Sequence, residues 1–462
     1  MEETNVETAK QVEKQKSKVG VKRMLFWQSS AVSTGANMLM LGFLSIYCTD
    51  TLNVPAAMVG MLLMASKIFD GVTDLLAGFI VDKTNTRIGR GRPYEINIIG
   101  VWVCTWLLFS CPPEWSLFAK GAWILSMYSF VNAIFATFLN ASKMVYMVRA
   151  FPRQEQYIAI NTYGSIVTMI FIVGFNVSFP MLMATMATSA KGWSALVGIY
   201  ALPLALIGLL RFIFIKETNN VDITTGTRIN LKDVITVLKT NPYIYIIALV
   251  SFMFNFVTNM GVDVYYFTYV VKDISLLGIL SLTQVVIVPV VFTFPPIIKK
   301  YSVPRLMTAG IAAMCIGYII AFIAYDNFPL LVCARLFIGI GAVPFSMLVP
   351  LLIIDCAEFN EWKKRPRLEG TLSNLNGFTT KVGSAFGAGI LGVLLTASGY
   401  TGSVETNPAS AVNMIRMLYS LIPMALYILV VIALRFYKLD KLMPDIRKAN
   451  EESRREAAGL NG

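Results

Sequence analysis

Three charged residues lie inside an apolar segment that is long enough to cross a bilayer. The segment runs from about residue 55 to residue 81 and carries Lys67, Asp70 and Asp74, and roughly 20 apolar residues suffice to span a membrane. A charge at the centre of such a helix costs about 2.5–3.5 kcal/mol, so it normally faces a protein interior or a wet cavity. The spacing of three and four residues places all three charges on one helical face. The two carboxylates repel each other, and a bound cation would relieve that repulsion.

The composition of the whole chain indicates a membrane protein. Of its 462 residues, 56% are hydrophobic and only 14% are charged, and the mean hydropathy is +0.64. These values are typical of a polytopic membrane protein and exclude a soluble globular domain. The chain has no histidine, which excludes His-based catalytic triads, HExxH zinc sites and histidine proton relays. The six cysteines form no CxxC pair, so we interpret them as packing residues without a metal.

Twelve apolar segments separate the polar parts of the chain, and they predict an all-α membrane protein with two halves of six transmembrane helices. The segments cover residues 24–47, 55–81, 94–111, 121–148, 159–186, 193–215, 242–270, 276–298, 304–324, 328–353, 371–398 and 412–437. The domain boundaries follow: a tail at 1–23, an N-terminal bundle at 24–215, a central loop at 216–241, a C-terminal bundle at 242–437 and a tail at 438–462. This is the layout of major-facilitator transporters, whose sites lie near the bilayer midplane.

The distribution of basic residues predicts the orientation. With the N-terminal tail inside, 31 of the 39 Lys and Arg residues fall on the inner side and only Lys120, Lys191 and Lys272 on the outer side. Cytoplasmic loops carry such an excess of basic residues. Both termini and the central loop are therefore predicted to be cytoplasmic, in a multi-pass protein of the plasma or inner membrane. The net charge of +12 needs no nucleic-acid partner, because nearly all of it lies in these loops and tails.

Two stretches of the sequence carry recognisable motifs. The first, KIFDGVTDLLAGFIVDKTNTRIGRGRP from Lys67 to Pro93, ends in a basic turn rich in Gly and Thr. The second runs from Asp355 to Gly389, where a basic turn leads into a span whose polar residues include Asn376 and Lys381. Together they resemble the two signatures of the glycoside–pentoside–hexuronide:cation symporters, a family of the major facilitator superfamily typified by melibiose permease. The resemblance covers essentially the whole chain.

The resemblance implies a role for residues in both stretches. It implies that Asp70, Asp74 and Thr137 bind the coupling cation, Na⁺, Li⁺ or H⁺, with Lys67 as their charge partner. A polar set that would bind the sugar comprises Thr34, Asn37, Asn140, Lys143, Asn376 and Lys381. A further set would act in gating at the cytoplasmic loops, namely Asp82, Arg87, Arg90, Arg92, Asp355, Glu358 and Arg367. A Lys67–Asp70 pair that only holds helices together stays open as an alternative.

The sequence departs from the melibiose pattern where the sugar would bind. Where the melibiose pattern has a sugar-binding acid in the first span, this chain has Thr34. The acid of the fourth span aligns near Thr137 or Asn140, and the basic residue expected beyond the fourth span is replaced by Asn161 or Thr162. Galactoside specificity is therefore not expected. With Lys143 and Lys381 inside the bundle, an anionic glycoside such as a uronide becomes a fair hypothesis, beside a pentoside.

The sequence thus predicts a symporter, not an enzyme, that moves a sugar or glycoside inward with Na⁺ or H⁺ by alternating access. We expect no cofactor beyond the coupling cation, contact with membrane lipid, and a monomer. One alternative is a sodium-coupled lysolipid transporter of the same fold. A remote alternative is a membrane-embedded enzyme, which would need a nucleophile with its base or a metal site.

Overall fold

The computed structural model describes residues 19–151, 154–218, 241–365, 369–403 and 407–457, and within these ranges the chain forms helices and no β-strand. The chain divides into two compact units. The first comprises Met1–Val54 and Ser66–Thr225, and the second comprises Pro55–Ala65 and Gly226–Gly462. The sequence predicts one boundary in the central loop, whereas the structure also assigns the first turns of the second span to the second unit.

In the described ranges, the first unit, with the whole of α3, contains eight α-helices and three segments of other helical types. The α-helices are α1 Val21–Leu41, α2 Leu44–Ile46, α3 Ala56–Lys83, α4 Asn97–Leu108, α5 Leu117–Ser129, α6 Thr137–Ala150, α7 Gln154–Met186 and α8 Ala190–Phe214. The other segments are two π-helices, Tyr47–Thr51 and Phe130–Ala136, and a 3₁₀ helix, Arg92–Ile96.

Helix α1 is the central element of the first unit, since it packs against α4, α7 and α8. Its buried polar side chains bind neighbouring helices directly. The hydroxyl of Ser33 donates to the Leu204 carbonyl at 2.7 Å and accepts the indole N–H of Trp102 at 2.7 Å. Hydrogen bonds between helices satisfy polar groups that would otherwise be costly inside a membrane protein.

The second unit contains ten α-helices in the described ranges. They are α9 Tyr243–Thr258, α10 Val262–Tyr269, α11 Ser275–Ser281, α12 Thr283–Lys300, α13 Val303–Ala324, α14 Phe328–Trp362, α15 Glu369–Ala397, α16 Ala409–Tyr419, α17 Leu421–Leu434 and α18 Leu439–Ala457. Its core forms where α13 and α14 pack along each other and α9 packs on α15. Gly261, with φ of 72°, separates α9 from α10, a conformation that glycine adopts without a Cβ penalty.

Ten helical stretches of the described chain are long and apolar enough to cross a membrane. The predicted spans at 94–111 and 276–298 are instead formed by shorter helices, α4 and the pair α11–α12. The all-helical membrane architecture is therefore confirmed. The count of twelve spans and the cytoplasmic location of the termini stay predictions.

The C-terminal segment forms an amphipathic helix, α18, where the sequence predicts only a charged tail at 438–462. Leu439, Met443 and Ile446 are buried and belong to the core of the second unit. Their spacing of four and three residues places them on one face. Charged and polar residues occupy most of the other positions of α18, which explains the high charge of this segment.

Candidate functional site

The predicted cation residues of α3 and α6 meet in the first unit. Oγ1 of Thr137 lies 2.8 Å from Oδ1 of Asp70 and 3.0 Å from Oδ1 of Asp74. The backbone oxygen of Asn132 is also 3.0 Å from Oγ1 of Thr137. Three acceptor oxygens, two of them from carboxylates, thus lie within 3.0 Å of the Thr137 hydroxyl oxygen.

Local backbone structure places these oxygens. The π-helix Phe130–Ala136 ends just before Thr137. π-Helical segments are rare in proteins, and those that occur often lie at functional sites. The wider π turn brings the Asn132 carbonyl oxygen within reach of the Thr137 hydroxyl. On the other side of the π-helix, Ser129 at the end of α5 donates to Ser66 of α3 at 2.9 Å, so α3 contacts the helices on both sides of the distortion. The site is therefore built by a distortion of the helix that carries Thr137.

This cluster has more acceptors than protons. The Thr137 hydroxyl can donate its single proton to only one of its three acceptors at a time. Asp70 and Asp74 are each only partly exposed, and they also make interactions with other groups. Carboxylate, hydroxyl and backbone carbonyl oxygens are the ligands that hard cations prefer. The arrangement can hold a small monovalent cation, or a proton shared between carboxylates.

A cavity of about 330 Å³ lies in the first unit between α1, α6 and α7. It is lined by Trp27, Gln28, Ala31, Lys143, Ser165, Thr168, Met169 and Ile172. The Gln28 amide is fixed at both ends, because it donates to the Ile160 carbonyl at 3.0 Å and accepts from Thr168 at 3.2 Å. The volume lies at the lower end of the range for small-molecule pockets, and the walls combine apolar side chains with a few oriented polar groups.

Two of the predicted sugar residues follow Thr137 along α6. Asn140 and Lys143 follow Thr137 at intervals of three residues, and both are exposed in the structure. Six residues of α-helix correspond to a rise of about 9 Å. The cation cluster and the Lys143 end of the cavity are therefore separated by about that distance along one helix. Thr34, one turn beyond the cavity residue Ala31, donates to the Ser30 carbonyl of its own helix.

The remaining predicted sugar residues lie elsewhere. Asn37 is buried and donates to Thr105 Oγ1 at 2.7 Å, which joins α1 to α4. Asn376 and Lys381 are on α15 in the second unit, and Oδ1 of Asn376 accepts from Ser251 at 2.5 Å. The structure thus brings together Asp70, Asp74 and Thr137 directly, and it gives Asn37 a packing contact. The functional roles of these residues stay predictions.

A buried ion pair lies near Lys143, and the sequence analysis does not single it out. Nη1 of Arg211 is 3.0 Å from Oε1 of Glu95, with the two side chains 3% and 0% exposed. The Arg211 guanidinium also donates to the Trp27 carbonyl at 2.6 Å and lies over the Trp27 ring. Lys143 interacts electrostatically with both members of the pair. Because Arg211 binds Glu95 directly, this region keeps an excess of positive charge.

The predicted gating residues of the first unit lie around the turn at residues 84–92. Nε of Arg90 donates to the Thr84 carbonyl at 3.1 Å, and Nε of Arg92 donates to the Phe212 carbonyl at 2.9 Å. Arg87 is exposed. The side chain of Asp82 lies outside the described part of the chain. Arg92 thus caps the carboxyl end of α8, where a cation is favoured by the helix dipole.

The predicted gating residues of the second unit bind the C-terminal helix. Arg447 of α18 donates from Nη2 to Asp355 Oδ1 and from Nε to Glu358 Oε2, both at 2.8 Å. Asn450 adds a bond of 3.0 Å to the Glu358 carbonyl. Hydrogen bonding to Glu358 raises the pKa of Arg447 above its ordinary value, so this cation keeps its charge. Arg367 lies outside the described residues.

Comparison with known proteins identifies the family. The model of a family described as MFS/sugar transport protein matches residues 29–441. The chain belongs to this family. The match confirms the resemblance to glycoside–pentoside–hexuronide:cation symporters that the two motifs suggest, and the chain is therefore a multi-pass membrane protein.

Named relatives of the family extend along most of the chain. An isoprimeverose transporter of Lactiplantibacillus pentosus is 26% identical over 413 residues, which cover 87% of this chain and 85% of the relative. A glucuronide carrier protein homolog of Escherichia coli (strain K12) is 26% identical over 422 residues, covering 87% and 89%. A bacterial homolog of the human lysosomal transporter Spinster, solved inward-facing and occupied, superposes with a TM-score of 0.68 at 13% identity and covers 91% of this chain and 96% of its own. The last similarity shows the fold alone.

Proposed function

We propose that this protein is a symporter that couples inward movement of a sugar or glycoside to a Na⁺ or H⁺ gradient. The observation that carries the proposal is the oxygen cluster of Asp70, Asp74 and Thr137. The cavity lined by Lys143 and Gln28 supplies a place for the sugar in the same unit. The relatives named for isoprimeverose and for a glucuronide support a sugar as the substrate.

The cluster favours Na⁺ over a cation with softer ligand preferences. Its ligands are two carboxylates, a hydroxyl and a backbone carbonyl, and transporters bind Na⁺ with carbonyl oxygens at distorted helices of this kind. Two negative charges facing one cation leave the site anionic, which compensates for the loss of cation hydration. Proton coupling would use the same pair, with one carboxylate protonated.

Coupling between cation and sugar follows from their shared helix. Thr137 belongs to the cation cluster and Lys143 to the cavity, six residues apart on α6. A cation that fixes the Thr137 end of α6 reduces the freedom of the helix that the sugar contacts. By linkage, the sugar then strengthens cation binding by the same factor. Transport follows when the loaded protein exchanges between inward- and outward-open states, as alternating access requires.

An acidic sugar is the substrate class that the cavity fits best. Lys143 supplies a cation at the wall of the cavity. Glu95, a carboxylate that interacts with Lys143, is itself bound by Arg211. A carboxylate or similar anionic group on the sugar would balance that charge with a charge-assisted hydrogen bond. Gln28 and Thr168 can bind sugar hydroxyls in the same cavity.

The topology belongs to the same proposal. We place twelve spans in two halves of six, with both termini cytoplasmic, in the cell membrane, and a single copy as the working unit. The distribution of the Lys and Arg residues supports this orientation. Under it, the turn at 84–92 and the helix α18 lie on the cytoplasmic side.

Uptake into proteoliposomes tests the function. The purified protein is given a panel of labelled sugars, a neutral galactoside, a pentoside and a glucuronide, with an inward Na⁺ gradient, an inward H⁺ gradient, or neither. The proposal expects accumulation of the glucuronide when one gradient is imposed and only equilibration without it. Accumulation of none of the sugars under either gradient would contradict the proposal.

A further inference from the structure

Three successive backbone N–H groups hold the carboxylate of Glu217. The N–H groups of Gly91 and Arg92 donate to Oε1 at 2.8 and 2.6 Å, and that of Arg90 donates to Oε2 at 2.8 Å. A concave row of successive amides is an anion-binding nest. The side chain of Glu217 is only 4% exposed, although it comes from a distant part of the chain. The turn at 84–92 is therefore organised around a carboxylate that it does not itself supply.

The close neighbours of Gly89 and Gly91 explain why this turn contains glycine at these positions. Gly89 has φ of 129°, and a Cβ at this position would overlap the Glu217 carboxylate. A Cβ on Gly91 would lie 2.6 Å from Cβ of Tyr146 and 2.9 Å from the Ser142 carbonyl oxygen. The sequence RIGRGRP thus provides both the backbone conformation and the space that the carboxylate needs.

The Glu217 contact joins three segments of the first unit. Nη1 of Arg149, near the end of α6, lies 3.9 Å from Glu217 Oε2. The next residue, Thr218, donates its backbone N–H to the Arg149 carbonyl at 3.1 Å. Arg92 binds the Phe212 carbonyl at the end of α8. The turn after α3 is therefore attached to the ends of both α6 and α8.

We propose that Glu217 is a positioning residue for transport. Its carboxylate fixes the turn at 84–92 against α6 and α8, and it thereby holds the end of α3, the helix of Asp70 and Asp74. Loss of the carboxylate leaves three N–H donors without an acceptor, and buried donors without partners are costly. The turn then separates from its neighbours, and the first unit no longer holds α3 and α6 in fixed register.

Chemical rescue distinguishes this role from a general loss of structure. Glu217→Ala empties the nest but keeps its amides, so a small carboxylate such as formate can replace the missing group. We expect a severalfold fall in the maximal rate of sugar uptake, little change in the half-saturating sugar concentration, and recovery of the rate with formate but not with neutral formamide. Glu217→Gln fills the nest with an amide, so its reduced rate should not recover with formate. Glu114→Ala, at an exposed glutamate in another loop, is the matched control and should behave as wild type.

A second readout does not depend on the substrate, since the transport readout rests on the proposed function. Trypsin can cleave after Lys83, Arg87 and Arg90 only when the turn detaches from its neighbours and fits into the active site of the protease. We expect faster cleavage at these sites in Glu217→Ala and Glu217→Gln, and protection of the Ala variant by formate. If wild type moves no sugar, the proposed function fails while cleavage still tests Glu217.

Either of two results with Glu217→Ala would overturn the positioning role. One is that Glu217→Ala takes up sugar, and is cleaved by trypsin in the turn, at the same rates as wild type. The other is a slow, rapidly cleaved Ala variant that formate does not restore, because the loss would then be structural and not due to the missing anion. If the Ala variant does not fold, wild-type cleavage of the turn in Glu217→Gln would equally contradict the proposal.

Discussion

Oγ1 of Thr137 lies 2.8 Å from Oδ1 of Asp70, although 67 residues separate the two along the chain. The contact joins α3, which carries the acidic pair, to the start of α6, which also carries Lys143. Through this contact, a change in the charge of the Asp70 carboxylate acts directly on α6, which lines the cavity. In the proposed mechanism, this contact couples the binding of the cation to the binding of the sugar.

Replacing Thr137 should weaken the response to the cation. Thr137→Ala removes one oxygen from the cluster and a hydrogen bond to a charged group, worth about 1.5–3 kcal/mol. We expect the half-saturating Na⁺ concentration for sugar uptake to rise about ten- to a hundredfold, measured as initial rates at a fixed sugar concentration. Thr137→Ser keeps the hydroxyl and should remain near wild type. An unchanged Na⁺ dependence in the Ala variant would remove Thr137 from the cation site.

Replacing Lys143 should change which sugars are carried. Lys143→Met keeps the length of the side chain but removes its charge, so an acidic sugar loses its partner at the cavity wall. We expect the half-saturating concentration of a glucuronide to rise about tenfold or more, while that of a neutral pentoside changes little. Lys143→Arg keeps the charge and should retain the preference. An equal loss for acidic and neutral sugars would show that Lys143 acts on the fold and not on the anionic group.

Removal of Arg447 should destabilise the second unit. The Arg447 guanidinium forms ion pairs with Asp355 and Glu358, whose side chains are 8% and 19% exposed. Arg447→Ala removes both ion pairs. Because the arginine itself is largely exposed, we expect a loss of only about 1–3 kcal/mol in the free energy of unfolding. Thermal unfolding of the detergent-solubilised protein measures the change. Lys448→Ala, at the neighbouring exposed residue, is the control, and an equal shift in both variants would contradict a specific role for Arg447.

Substitution of Gly91 should separate the turn from α6. Gly91→Ala places a methyl group 2.6 Å from Cβ of Tyr146, and such overpacking costs about 1–3 kcal/mol. Gly174→Ala in α7 is the matched control, because a Cβ there has no neighbour within 4 Å, and alanine favours a helix by about 0.5–1 kcal/mol. Thermal unfolding should show a lower midpoint for the first variant only. Equal midpoints would mean that the turn can move away from Tyr146 at little cost.

The sequence predicts the class of protein and the polar face of α3 because both depend on local pattern. Charges within an apolar helix are costly wherever the helix packs, so Lys67, Asp70 and Asp74 stand out without a structure. The membrane architecture follows from hydropathy for the same reason. The contact of Thr137 with the acidic pair came from the family resemblance, since no local pattern links two helices.

Other parts of the site depend on contacts between distant residues. Glu217 is an ordinary acidic residue at the end of a span until the three amides of a turn 125 or more residues earlier are placed around it. Arg211 and Glu95 likewise reveal their pairing only when α8 and the 3₁₀ helix meet. The helix α18 did have a local signal, namely the spacing of Leu439, Met443 and Ile446, but the high charge of the segment favoured the interpretation as a tail.

The most direct test of the central claim is Na⁺-driven accumulation of a transported sugar by Asp70→Asn in proteoliposomes. The variant keeps the size of the side chain and removes one of the two charges that would hold the cation. Asp445→Asn, at an exposed residue of α18, is the control. We predict that Asp70→Asn still equilibrates the sugar but no longer concentrates it, whereas the control concentrates it as wild type does. Undiminished Na⁺-driven accumulation by Asp70→Asn would contradict a cation site at Asp70, Asp74 and Thr137.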